Sequence, residues 1–368
     1  MKKTLAALAV LGAFAGSAMA ADVTLYGALD TGFEYIHTKN PGEKAVDTFD
    51  MQTGWDTGNR WGLKGSEDLG NGYKVSFKLE SGFNGDDGTM GQGSRLFGRE
   101  AGLTLSGPFG SIAFGRFGGI SSSAGTYDML GYVESFDGGD GNVWGFAASD
   151  RYDNMVVYQT PRFAGLQLTA QYSFKTDSKG TNKDDAKGNH YYNGDEGTSD
   201  AQRYASIGLS GEYGPASFAV GYELTKYGAS AAAGVGRELD KDGQLVFLGG
   251  NYDFEVVQLF VEGQYFKHQT AIAGFGDAFE DNIGDVKGYG LHLGAAAPLG
   301  AGTLTAGLYY TDATDEQIED KDVDFKYYYP LSERTGVYAG AGYGQVKNDD
   351  SGDKTKVTQV YCGLVHTF

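Results

Sequence analysis

The stretch VTLYGALDTGFEY, residues 23–35, puts Val23, Leu25, Leu29, Phe33 and Tyr35 on one face of an extended chain and Thr24, Tyr26, Asp30 and Glu34 on the other. This is the period of a β-strand with one apolar face. The same alternation recurs in GYKVSFKLE (72–80), where Tyr73, Val75, Phe77 and Leu79 oppose Lys74, Ser76, Lys78 and Glu80. It recurs again in LQLTAQYSFK (166–175) and in the terminal TKVTQVYCGLVHTF (355–368), where Val360, Cys362, Leu364 and Phe368 share one face. Helical spacing fits none of these segments.

Between strands the connections alternate in length. Tight turns such as DLGNG (68–72), GPFG (107–110), PRFAG (161–165), YGPA (213–216), APLGAG (297–302) and PLSERTG (330–336) are each followed, one strand later, by a longer polar segment. The long segments are 38–59, 84–94, 117–150, 176–202, 228–242, 268–287, 313–321 and 348–354. Eight long loops on one rim require eight ascending and eight descending strands. The spacing therefore predicts strands near 22–37, 59–68, 72–83, 95–106, 110–117, 151–160, 165–175, 203–213, 216–227, 243–253, 256–267, 288–297, 302–312, 322–330, 335–347 and 355–368. An even strand number with short turns on one side and long loops on the other is the layout of an all-β, 16-stranded antiparallel transmembrane barrel with short periplasmic turns. Hydrocarbon offers backbone groups no hydrogen bonds, so only a sheet without edges is stable there, and the last strand must pair with the first. Sixteen strands enclose a lumen too wide for side chains to fill, and an aqueous channel follows from the count.

The bulk numbers agree with this layout. No window of about 20 residues after the N-terminal segment is uniformly apolar, and the mean hydropathy is that of a soluble protein, as expected when lipid meets only every second residue. The 25 tyrosines and 22 phenylalanines, often near strand ends (Tyr35, Phe83, Tyr213, Tyr227, Phe254, Tyr329), suit aromatic girdles. MKKTLAALAVLGAFAGSAMA (1–20) reads as a cleaved signal peptide, with two lysines, an apolar core and an A-x-A site, leaving residues 21–368 as the barrel. Its removal takes Lys2 and Lys3 and moves the formal charge from −19 to about −21, which argues against a nucleic-acid partner. One cysteine, Cys362, excludes an intrachain disulfide, and on the lipid face it acts as a small apolar group.

The five histidines form no H-x-x-x-H pair and no serine stands in a G-x-S-x-G elbow, so nothing reads as an enzyme, and neither a cofactor nor a metal is implied. The run EDKDVDF (319–325) and the pair Asp86-Asp87 lack the glycine and terminal glutamate of an EF-hand and read as solvated acidic loops. Such loop tips could bridge through divalent cations to anionic lipopolysaccharide. Segment 117–150 differs, being too long and too apolar for a simple rim loop. Its Tyr127, Met129, Leu130, Tyr132, Val133, Phe136, Trp144 and Phe146 need a surface to pack on, and the lumen wall supplies one. Folded inward, the loop would present Asp128, Glu134, Asp137 and Asp140 to a narrowed pore. The facing basic wall would draw on Arg60, Lys64, Lys74, Lys78, Arg99, Arg116 and Arg151, setting up a transverse field. Arg99 and Arg116 lie on the apolar parity of their strands, so a bulge or strand end must re-aim them.

At these residues the chain resembles the general porins of Gram-negative bacteria, of the trimeric betaproteobacterial and neisserial type. The likeness is carried by VTLYGALDTGFEY (23–35), NRWGLKGSEDLGNGYKVSFKLESGF (59–83), LFGRE with GLTLSGPFGSIAFGRF (96–117), RYDNMVVYQTP (151–161) and the final GLVHTF. The resemblance implies a 16-stranded barrel with an inward-folded third loop, a homotrimer, and passive diffusion of small hydrophilic solutes and ions. It also implies that Arg60, Lys64 and Arg116 belong to a basic wall and that Phe368 is read by the barrel-assembly machinery. Two departures bear on selectivity. The family's frequent SVRY is MVVY here, with Val157 at the arginine position, and its LRHRF ending is LVHTF, with Val365 and Thr367 in place of two arginines. A pore with weak selectivity and a slight lean to cations is expected. The competing readings are a solute-specific channel and a surface adhesin.

Overall fold

The computed structural model describes residues 23–122, 125–136, 148–179, 183–184, 190–191, 195–199, 201–227, 241–269, 286–314 and 317–368. Sixteen antiparallel strands close into one barrel. They are β1 (Thr24–Lys39), β2 (Arg60–Gly70), β3 (Tyr73–Gly82), β4 (Glu100–Gly107), β5 (Gly110–Gly118), β6 (Arg151–Gln159), β7 (Leu166–Ser173) and β8 (Arg203–Tyr213), followed by β9 (Ala216–Lys226), β10 (Gly243–Asp253), β11 (Gln258–Gln269), β12 (Val286–Leu299), β13 (Gly302–Ala313), β14 (Ile318–Pro330), β15 (Thr335–Asn348) and β16 (Lys354–Thr367). No helix among the described residues is long and apolar enough to cross a membrane.

Closure is made by the two segments that the sequence singles out. β16 pairs with β1 from Ala28 opposite Thr367 to Lys39 opposite Lys356. Below this ladder Gly27 and Phe368 exchange both backbone hydrogen bonds, each at 3.0 Å. The seam is tight because it is glycine-lined. A Cβ on Gly32 would run into the carbonyl oxygen of Cys362, and one on Gly27 into the Phe368 ring. With the seam shut, the first and last strands pair with each other instead of presenting unpaired backbone groups to lipid, where each would cost several kcal/mol.

The parity read from the sequence holds. Leu25, Leu29, Phe33 and Tyr35 are exposed on the outer wall, while Ala28, Asp30 and Glu34 are buried on the inner one. In β16, Val360, Leu364 and Phe368 point out, and Gln359, Tyr361 and Val365 point in. Of the aromatics at strand ends, Tyr35, Tyr213, Phe254 and Tyr329 are exposed, whereas Tyr227 turns its hydroxyl to the His268 carbonyl at 3.0 Å.

Three segments depart from expectation. Segment 38–59 is not simply a loop: an added strand, Val46–Thr53, folds back and pairs with the upper half of β1, so β1 meets β2 only through Thr24–Ala28. Its remainder turns into the lumen, because the Asp30 carboxylate accepts the Asp56 and Thr57 backbone N–H groups at 2.7 and 2.8 Å and the Tyr338 hydroxyl at 2.7 Å. β4 begins at Glu100 rather than 95, since the chain before it bends to bring Arg99 onto Glu80. β14 begins at Ile318, so Glu319–Phe325 is strand and not a solvated acidic loop. Asp320, Asp322 and Asp324 alternate onto the inner wall and are buried there. A carboxylate every second residue on the polar face is strand chemistry in a barrel whose interior is polar.

Candidate functional site

The third long loop leaves β5 at Gly118, returns at Arg151 and folds into the lumen. Two apolar contacts hold its described part. Ile120, Met129, Leu130, Val133 and Phe136 pack on Ala219 of β9, Phe247 of β10 and Tyr309 of β13. Tyr127 packs on Phe117 with ring centroids 5.3 Å apart, in a cluster with Ala113, Met155, Val157 and Tyr204. Each such side chain contributes roughly 1.5–3 kcal/mol by leaving water. Burial also pushes the Tyr127 phenol up to about 12, so it stays neutral. Val157 is thus part of the loop's apolar seat, facing inward at the position where the family pattern carries arginine.

Polar contacts fix both stems and the middle of the loop. The Glu223 carboxylate of β9 accepts the Ser121 N–H at 3.0 Å, the Ser149 hydroxyl at 3.0 Å and the Tyr204 hydroxyl at 2.8 Å. The Glu100 carboxylate of β4 accepts the Thr126 N–H at 2.6 Å and its hydroxyl at 2.9 Å. Further along, the Ser135 N–H donates to Nε2 of the buried His292 at 3.1 Å, and its hydroxyl donates to the Ala306 carbonyl at 3.0 Å. With Nε2 accepting, the His292 proton sits on Nδ1 and faces the Leu308 carbonyl at 3.2 Å.

The loop carboxylates do not all face open lumen. Asp128 is half-buried and accepts the Leu130 N–H at 3.1 Å, at the start of the 3-10 turn Leu130–Tyr132. Glu134 is turned to the wall, 3% exposed, beside the Glu262 carboxyl of β11. Asp137 and Asp140, with Trp144 and Phe146, lie outside the described residues.

Opposite the loop, Arg60, Lys78 and Arg99 come together. They line a cavity of about 580 Å³ with Tyr26, Asp56, Glu80 and, from the loop, Gly125. Arg99 reaches inward through the bend before β4 and donates from Nε to Glu80 at 2.7 Å. Arg116 reaches inward at a bulge where Asp153 and Asn154 of β6 both oppose it. It donates to Asp153 at 2.6 Å and to the Gly98 carbonyl at 2.8 Å. Arg151 starts β6 on the adjoining wall, half-buried. Lys64 stands directly opposite Lys78 in register and adjoins this group, whereas Lys74 does not. Lys64 lies over the Tyr26 ring at 5.0 Å, and Lys74 sits exposed next to the Asn71-Gly72 turn, about four residues or 13 Å down the strand from Lys78.

Lys78, Arg99 and Arg116 each lie close to a carboxylate that the sequence reading passed over. Lys78 pairs with Glu100 at 2.6 Å and Glu80 at 3.6 Å, Arg99 with Glu80, and Arg116 with Asp153. Arg95 joins Asp153 at 3.0 Å and also Asp177. The neighbouring Asp56 is held by Lys326 of β14 at 2.9 Å. Glu80 and Lys78 are two apart on the lumen face of β3, which was the available signal. Asp153 carried none, because its role depends on the bulge.

Comparison with known proteins agrees with this architecture. A family model described as Gram-negative porin matches residues 6–351. The chain is 35% identical to an outer membrane porin protein of Bordetella pertussis over 407 aligned positions, covering all of both chains. It is 32% identical to outer membrane porin protein 32 of Delftia acidovorans, covering 95% of this chain and 91% of the relative. Among solved structures it is similar to an anion-selective porin from Comamonas acidovorans, with a TM-score of 0.67, 25% identity, and coverage of 95% of this chain and 100% of that one. The fold alone is shared with the outer membrane channel DcaP of Acinetobacter baumannii, with a TM-score of 0.65 and 17% identity over 96% of this chain and 99% of that one. A closed 16-strand barrel with an inward third loop, matched along most of its length, belongs to the Gram-negative porin family and sits in the outer membrane as a channel.

Proposed function

We propose that the chain is a general diffusion porin of weak charge selectivity, with a slight lean to cations, passing small hydrophilic solutes and ions. The observation that carries the reading is the pairing of the basic wall. Lys78, Arg99 and Arg116 each sit within 2.7 Å of a carboxylate, so the field they cast across the lumen is largely cancelled. Val157, Val365 and Thr367 remove further positive charge from the inner wall. The similar porin from Comamonas acidovorans is anion-selective. The pairing of the wall is what argues for a different balance here.

The proposal extends to assembly. Residues 1–20 act as the cleaved signal peptide, the exposed ring of Phe368 is read by the assembly machinery, and three copies associate in the membrane. Acidic loop tips, such as the exposed Asp86 and Asp87, contact lipopolysaccharide through divalent cations. The test is planar-bilayer recording. Conductance in triplet steps, with flux falling smoothly with solute size, supports the reading. A protein that never conducts sinks it, and saturable block by one solute at micromolar concentration would favour a solute-specific channel.

A further inference from the structure

We infer that Lys326 of β14 is a specificity-determining residue of the pore, which ties the first loop to the third and masks the Asp56 carboxylate at the cavity. The inference rests on the channel reading above and adds a residue that stands apart from the basic wall. Lys326 follows the inward parity of Asp322 and Asp324 and is half-buried. From β8 round to β16 and on to β1, it is the one lysine or arginine on the inner parity of the strands among the described residues. Asp30, Glu223, Glu262 and Asp324 share that arc of wall.

Register makes room for it. Thr305 of β13 and Gly340 of β15 lie opposite Lys326, and both are small, so the lysine stem rises off the wall into the lumen. Its ammonium meets Asp56 at 2.9 Å and lies 5.4 Å from the centroid of the Phe136 ring. Asp56 belongs to the inward part of the first loop and Phe136 to the third loop. One side chain therefore bridges the two inward segments, by an ion pair on one side and a cation–ring contact on the other.

Each partner is fixed from elsewhere. The Asp56 N–H donates to the Asp30 carboxylate at 2.7 Å, and Phe136 packs in the cluster that holds Tyr309. Asp324, two residues away on the same face of β14, accepts the Tyr361 hydroxyl at 3.1 Å. Asp56 lines the cavity with Arg60, Lys78 and Arg99, and Lys326 does not. The carboxylate thus fronts the cavity, and the ammonium stands behind it. Only 14% of the Lys326 side chain and 16% of the Asp56 side chain are exposed, so salt screens the pair little. With the ammonium in place, the Asp56 charge is largely cancelled for a passing ion. Without it, a bare carboxylate faces the cavity and the first loop loses its tie to β14.

The test uses the full-length chain refolded in detergent and in planar bilayers, with heat-shifted electrophoretic mobility confirming the barrel in each variant. Lys326→Gln and Asp56→Asn both break the pair, so each should speed amide exchange at Asp56 and Thr57 by about fivefold, the upper end for an ion pair that is not fully buried. Lys326→Arg should keep the slow exchange. The two disruptive variants diverge on charge. Lys326→Gln should raise the cation-to-anion permeability ratio roughly threefold and Asp56→Asn should lower it to a similar extent, as for a unit charge about 6 Å from the ion path. If Lys326→Gln does not fold, Asp56→Asn set beside Lys326→Arg carries the same test. Unchanged exchange in the disruptive variants overturns the inference, and so does faster exchange with no shift in the ratio, the result of a merely structural tie. Exchange is read without conduction, and the shifts are read against the unaltered chain. An unaltered pore that prefers anions would therefore sink the reading above and leave this inference standing.

Discussion

Replacing Glu80 by glutamine tests how the pore sets its selectivity. Glu80 is buried on β3, receives Arg99 at 2.7 Å and the Tyr26 hydroxyl at 2.8 Å, and lines the cavity beside the loop. Glutamine keeps one carbonyl acceptor for these donors, so geometry changes little while one negative charge is lost. An ion passing about 6 Å away interacts with a unit charge by about 0.7 kcal/mol at the dielectric of water. Screening at 0.1 M salt roughly halves that. Cations and anions respond in opposite senses, so the cation-to-anion permeability ratio should fall by roughly threefold. The assay is the reversal potential of the variant in a salt gradient, beside the unaltered chain. An unchanged reversal potential, with the barrel intact by heat-shifted electrophoresis, would show that the paired wall does not control permeation.

Arg60→Ala, by contrast, should raise that ratio, since it removes a cavity-lining cation and leaves the carboxylates in place; a fall would contradict its placement. Phe136→Ala deletes a ring packed on Tyr309 and Gly307, a truncation that costs about 3–5 kcal/mol in a packed core. The cost falls on the loop rather than the barrel, so single-channel current should grow larger and noisier while thermal unfolding of the sheet moves little. Gly32→Val should block closure, because its side chain meets the Cys362 carbonyl across the seam, and refolding would leave a heat-unmodifiable band. In the exposed added strand, the His37 and Tyr35 partners hold the Asp47 carboxyl below its ordinary range. A depressed carboxyl stabilises above its unfolded pKa and stops doing so as pH falls through the folded one. The hairpin with β1 should therefore loosen in acid, seen as faster amide exchange at residues 46–53, with exchange unaltered across the range if the pairing is irrelevant.

Strands were legible because lipid on one side and water on the other impose period two on every segment. β8 and β10 carry the boundaries that the sequence predicts. The inward loop was legible too, through apolar residues such as Met129 and Phe136 that a rim loop could not bury. What escaped were features that depend on contacts distant in sequence. Asp153 meets Arg116 only through a bulge, Asp30 draws in residues 56 and 57, and Glu134 turns to Glu262 rather than to the pore. The run from Glu319 to Phe325 was misread because charge density alone looks like a loop, whereas its aspartates alternate with Lys321, Val323 and Phe325. Lys74 shows the converse. Parity placed it on the lumen face, but parity gives no height along the strand, and Lys74 lies four residues below Lys78.

The most direct test of the account is the reversal potential of the unaltered protein in a tenfold KCl gradient across a planar bilayer. A value near zero, displaced slightly toward the potassium equilibrium potential, is predicted from a basic wall paired with Glu80, Glu100 and Asp153. A value well toward the chloride equilibrium potential would contradict it.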